Sequence, residues 1–220
     1  LQLAVTGDPN FANAFKQLGE AYQTLENYPE AIKAFENAIS IDPKFTSVHN
    51  NLGTIYTFQK KYFKAINSFK ETLRTNPKFE NGFFNLGMIY EILGRYPEAI
   101  KTYKALLDLN PNHKEAMFSL GWALMDEKRY LEAAPILKQA VRLNPKNADT
   151  HYSLGMVYAE LGRNGDALTQ YRKTLQMDGN HTGAHEKIAR LQKESDIKPL
   201  RQPTIINEAT RQNSDIVLVP

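Results

Sequence analysis

The 220-residue chain contains no cysteine, which excludes disulfides and thiolate chemistry without choosing between cytoplasm and periplasm. It has no apolar run near the roughly 18–20 residues that a membrane-spanning helix needs. It also lacks a strong charge of either sign. The net charge of +3 is far from the concentrated basic stripe expected of a nucleic-acid binder, so no nucleic-acid partner is expected. No glycine-rich phosphate loop and no serine–histidine–acid pattern is present. His181 and His185 have the i, i+4 spacing of two metal ligands on a helix, but no glutamate follows His181 as an HExxH site requires. No enzyme activity, metal or cofactor is expected. No signal peptide is visible, and the chain opens at Leu1 without methionine. The compartment stays open.

What the sequence does have is a period. Gly19, Gly53, Gly87, Gly121 and Gly155 each follow a leucine and recur in one register. After each glycine comes Tyr22, Tyr56, Tyr90, Leu124 or Tyr158, then Ala31, Ala65, Ala99, Ala133 or Ala167. Phe35, Phe69, Tyr103, Leu137 and Tyr171 follow one helical turn later. Blocks close at Pro43, Pro77, Pro111 and Pro145, with Gly179 in the fifth. Each block reads as two helices, because "ENYPE", "LGRYPE" and "LGRNGD" carry breakers midway. Pro29 and Pro97 fall in the first turn of the second helix, where proline is tolerated. Glycine inside a helix costs about 1 kcal/mol against alanine. Five in one register predict a neighbour too close for a Cβ, with the partner helix's backbone at its alanine as the expected contact. Pro135, one turn inside a second helix, predicts a local kink.

This pattern resembles the tetratricopeptide repeat (TPR) family of 34-residue helix–turn–helix units. The resemblance implies an all-α, right-handed superhelical solenoid of antiparallel helix pairs. It divides the chain into repeats 12–45, 46–79, 80–113, 114–147 and 148–181, with a capping helix at 182–193. Residues 1–11 read as the remnant of a truncated upstream repeat, which suggests a longer parent; a plain capping helix is the other reading. Thr72, Leu106 and Thr174 depart from the usual small alanine late in the second helix. His49 and His151 occupy a position that normally packs.

The family binds extended peptides on a concave face supplied by positions 2, 5, 6, 9 and 12 of each first helix. In the first two repeats those positions are polar, as Asn50, Asn51, Thr54 and Thr57 illustrate. The third supplies Asn81, Phe84, Asn85, Met88 and Glu91; the fourth, Glu115, Phe118, Ser119, Trp122 and Met125. The fifth supplies Asp149, Tyr152, Ser153, Met156 and Ala159, and the capping helix adds Lys187 and Arg190. The groove is therefore expected to run from polar, through an aromatic and methionine-rich centre, to a basic end. Phe84, Phe118, Trp122 and Tyr152 would together cover several hundred Å², since one covered aromatic buries about 150–250 Å². Met88, Met125 and Met156 add an adaptable lining.

Two known binding modes of the family can be compared. Asn51 and Asn85 resemble the asparagine ladder by which O-linked sugar transferase arrays hold a peptide backbone, with Ser119 and Ser153 continuing the row. The chaperone carboxylate clamp is rejected, because its pattern yields Lys16, Glu20, Asn51, Asn81 and Asn85, and Glu20 would repel a carboxylate.

Residues 194–220 leave the repeat, with Pro199 and Pro203 opposing helix. The apolar stretch Ile216 to Val219 could dock in a groove, its own or a neighbour's. The resulting expectation is a non-enzymatic scaffold that holds an extended or helical peptide segment through an aromatic and methionine patch. The partner would be a protein or peptide, the chain's own tail, or another copy. The alternatives are a substrate-presenting array cut from a larger enzyme and a self-assembling scaffold.

Overall fold

The computed structural model describes residues 9–197, with side-chain surroundings for 11–193. Among the described residues every element is an α-helix, and the helices follow one another in pairs. The pairs are α1 (Pro9–Thr24) with α2 (Tyr28–Ile41), α3 (Thr46–Phe58) with α4 (Tyr62–Thr75), and α5 (Glu80–Ile92) with α6 (Tyr96–Leu109). They continue with α7 (Lys114–Asp126) and α8 (Tyr130–Leu143), then α9 (Ala148–Glu160) and α10 (Asn164–Met177). A single helix, α11 (Thr182–Ile197), follows. The remnant at the start, except for the opening of α1, and the tail beyond Ile197, with its Ile216 to Val219 docking, lie outside the described residues. Helix α11 runs past Lys193 to Ile197, beyond the expected end of the capping helix.

Each helix packs on the next, and α1, α3, α5, α7 and α9 also touch one another in series. The second helices make no comparable contact among themselves. Close spacing on one side and wide spacing on the other curves the stack, so the first helices form the inner wall. The chain is an all-α solenoid of helix pairs.

The core repeats with the sequence. Ala31, Phe35, Ala65, Phe69, Ala99, Tyr103, Ala133, Leu137, Ala167 and Tyr171 are all essentially inaccessible. They fall in two apolar clusters, and Tyr56 packs against both. Buried Thr72 and Thr174 are accommodated because their hydroxyls donate to the carbonyls of Ser68 and Gln170, at 3.0 and 3.2 Å. His151 is 2% exposed, with ring nitrogens 2.8 Å from Gln170 Oε1 and 3.1 Å from the Pro145 carbonyl, so it is a packed and satisfied histidine.

The expectation about the helix glycines needs correction. A Cβ on Gly87 would lie 2.4 Å from the Tyr103 ring, and one on Gly19 2.6 Å from Phe35. Gly53, Gly121 and Gly155 face Phe69, Leu137 and Tyr171 in the same way. The close neighbour is the large side chain one turn beyond the alanine, and not a backbone. The missing methyl makes room for a ring.

Helix α8 stays continuous through Pro135. Its turn lies on the outward face, where Leu131 is 81% exposed and Pro135 is exposed as well. The turn inside each pair passes through one left-handed residue: Glu26, Lys60, Gly94, Lys128 and Gly162 have φ of 56°, 57°, 66°, 56° and 72°. Arg95, Arg129 and Arg163 open the next helix in three of these turns, and their Nε atoms donate to Glu98, Glu132 and Asp166 at 2.7–2.8 Å. Arg95 and Arg163 also lie over the Tyr90 and Tyr158 rings, 4.9 and 4.3 Å from the centroids.

Candidate functional site

Helices reach the inner wall of the stack with a register fixed by the core. In α7, Met117, Leu120 and Leu124 are buried against neighbouring helices. That face turns Phe118, Ser119 and Trp122 the other way. The same offset in α9 presents Tyr152, with Ser153 beneath it. Between these two helices and the end of α5 lies an open hollow of ≈ 660 Å³. Phe118, Ser119, Trp122, Tyr152 and Ser153 all line it. Trp122 is 40% exposed, whereas Phe118 and Tyr152 are half-buried and Ser153 is only 1% exposed. The open aromatic surface is therefore narrower than four fully exposed rings would give, and Ser153 belongs to the floor.

Five further residues complete the lining. Glu91 and Asp149 stand at concave positions that the repeat defines, while Ile92, Tyr96 and His181 come from outside that set. Tyr96 starts α6, where "YPE" brings the second helix back towards the groove. His181 precedes α11; its Nδ1 accepts from the Ala184 amide at 3.1 Å, and its ring lies 4.5 Å from that of Tyr152. His185 Nε2 lies 2.9 Å from the Gly179 carbonyl.

The electrostatics of the hollow are acidic. Tyr103 Oη donates to Glu91 Oε2 at 2.5 Å. Burial and this carboxylate push the Tyr103 hydroxyl far above its ordinary range, with Ser119 hydrogen-bonded at the same oxygen. Burial raises the Glu91 carboxyl, the Tyr103 bond counteracts it, and the charge of Asp126 adds to the rise. Tyr96 is raised first by Asp126, which also hydrogen-bonds it. Burial raises Tyr152, with the charge of Glu186 assisting.

Models of the tetratricopeptide repeat match residues 12–45 and, in overlapping stretches, 52–114, 84–148 and 118–182. The chain belongs to the tetratricopeptide repeat family. A comparison with curated proteins finds no match. Solved structures share the fold. YrrB, described as a TPR protein with an unusual peptide-binding site, has a TM-score of 0.72 at 22% identity, covering 78% of this chain and 89% of its own. A MamA protein structure has a TM-score of 0.72 at 18% identity, covering 88% and 98%. PilF from Pseudomonas aeruginosa has a TM-score of 0.69 at 20% identity, covering 85% of each chain.

The remaining residues expected to bind peptide are dispersed along this TPR array. Phe84 lines an adjoining hollow of ≈ 280 Å³, which shares Phe118 and Ser119 with the main one, and its ring stacks on His113 at 5.4 Å. Met88 and Asn85 line a small apolar hollow of ≈ 210 Å³ beside the exposed Phe58. Met125 and Met156 are half-buried against the core and line none of these hollows. Lys187 and Arg190 border a separate hollow of ≈ 200 Å³ with Glu160 and Tyr171.

The asparagine row has a use within the array. Asn51 Nδ2 donates to Glu20 at 3.3 Å, and Asn85 Nδ2 donates to Asn50 at 3.1 Å. Both bonds tie a first helix to the one before it. Lys16 Nζ is 3.5 Å from Glu20, so the lysine that a carboxylate clamp would need faces its own repeat's acid.

Proposed function

We propose that this TPR chain is a scaffold that holds a peptide segment of another protein against its inner wall, anchored in the hollow beside Trp122. The observation that carries the proposal is that hollow: ≈ 660 Å³, open to solvent, and walled by Phe118, Trp122, Tyr96 and Tyr152. Ligand sites in proteins commonly measure about 300–1,000 Å³ and combine apolar walls with a few polar groups. A half-exposed indole flanked by rings is also the usual composition of an interface hot spot. YrrB, with the same fold, supports the reading by being described as peptide-binding. Apolar side chains of the segment would cover the rings, while Ser119 and Asp149 supply polar contacts at the rim. Phe84 and Met88 extend the track towards α3, and Lys187 and Arg190 stand beyond its other end.

The test is calorimetric titration of a peptide selected on the wild-type chain, repeated on Trp122→Ala. Loss of a hot spot costs about 2 kcal/mol or more, so affinity should fall about thirty-fold. An unchanged affinity in a folded Trp122→Ala chain would remove the anchor and this reading with it.

A further inference from the structure

We infer that the side chain seated beside Trp122 is a cation, so that the groove selects a segment bearing arginine or lysine at its anchor. The inference rests on the groove reading above and specifies its ligand. It starts from an imbalance of charge. The whole chain carries +3, yet the charged side chains lining this hollow are Glu91 and Asp149, both acidic. Two more carboxylates act on its walls, Asp126 on Tyr96 and Glu186 on Tyr152. No lysine or arginine lines it among the described residues. The basic side chain that does line it, His181, accepts from the Ala184 amide at Nδ1 and lies against the Tyr152 ring. Lys114 lines the adjoining hollow with Glu115, and Arg95 is paired with Glu98.

The walls suit the same occupant. Trp122 is the best aromatic face for a cation, and Tyr96, Phe118 and Tyr152 surround it. A planar guanidinium can lie against the indole while its N–H fork reaches carboxylates at the edge, which a neutral apolar side chain cannot do. Glu91 is suited to be one of those carboxylates. One of its oxygens takes the Tyr103 hydroxyl, and its position at the end of α5 keeps it beside the hollow. Burial disfavours its charge, and among the described residues no lysine or arginine lining the hollow relieves it. A bound cation would supply that missing counter-charge. An acidic or carboxyl-terminal ligand would instead meet repulsion from every charged side chain lining the hollow.

The probe is a random dodecapeptide library displayed on phage, selected in parallel on the wild-type chain and on Trp122→Ala. Peptides retained by the first and lost by the second are expected to be enriched in arginine or lysine. The strongest of them is then synthesised with citrulline, the neutral isostere of arginine, or with norleucine where the cation is lysine. We expect the neutral peptide to bind about ten-fold more weakly, the scale of a desolvated cation–π contact with charge assistance. In the Glu91→Gln/Asp149→Asn chain, that ratio should shrink to about three-fold, the part that the aromatic contact supplies alone. Circular dichroism of this variant confirms that it is folded. Trp122-dependent peptides without cation enrichment, or neutral peptides that bind equally well, would overturn the charge selection and leave the groove reading standing. If no peptide depends on Trp122, both readings fail.

Discussion

The hydroxyl of Tyr103 donates to the carboxylate of Glu91 at 2.5 Å, joining the second helix of one repeat to its first beside the groove. Two repeats along, the same two positions hold Tyr171 and Ala159. There the phenol oxygen is buried with no hydrogen-bond partner among the described residues. An unsatisfied buried hydroxyl costs about 1–3 kcal/mol. Ala159→Glu is therefore expected to stabilise the array by about 1 kcal/mol in urea unfolding. Tyr171→Phe should abolish that gain, since it removes the donor.

Glu91 itself should make stability depend on pH. Its folded carboxyl is raised above its unfolded value, chiefly by burial. A raised acid contributes its stability at low pH and loses it as pH rises through the folded value. Glu91→Gln keeps an acceptor for Tyr103 and removes the charge. Its melting temperature relative to wild type should therefore be more favourable at neutral pH than at acid pH. An identical difference at both would contradict the assignment.

The helix glycines make a graded prediction. Gly87→Ala would place a methyl 2.4 Å from the Tyr103 ring, which is buried and tethered to Glu91. Overpacking costs about 1–3 kcal/mol, more than the ~1 kcal/mol that alanine gains in helix propensity. Gly121→Ala brings a methyl 2.4 Å from Leu137, which is equally buried but has no hydrogen-bonded tether, and should lose less stability. Denaturant midpoints of the two variants test the order.

The turn residue offers the opposite change. Lys128 has φ of 56°, a region that Gly94 and Gly162 occupy at the same place in their repeats. A left-handed non-glycine residue costs about 1–2 kcal/mol, partly offset by the extra freedom of glycine in the unfolded chain. Lys128→Gly should gain about 0.5–1 kcal/mol, and Gly94→Lys should lose a similar amount. Thermal melts of both variants check the sign.

The register of the repeat was legible because glycine, alanine and the aromatic recur at fixed offsets, and helix geometry turns offsets into faces. What touches the glycines was not legible. Spacing places Ala99 and Tyr103 on one face but does not say which one reaches Gly87, and the ring reaches farther. The groove was legible in the same partial way. Positions along α7 and α9 brought Phe118, Trp122 and Tyr152 to one hollow. They did not bring Phe84 or Met88 into it, because these lie earlier on α5 than Glu91 and Ile92 and line separate hollows. Tyr96 was within reach of sequence reasoning, since Tyr28, Tyr62 and Tyr130 recur at its place and mark it as part of the repeat. His181 was not, because its role comes from where α11 begins.

Trp122 is the chain's only tryptophan, and it stands 40% exposed on the wall of the hollow. The protein thus carries a built-in optical probe at its proposed anchor. Excited selectively, the indole emits from that one location, so a shift in its emission maximum or its quenching by iodide reports occupancy there without any label. Tyrosines throughout the array can also pass excitation to it, which makes a single emission band sensitive to whether the distant repeats stay stacked.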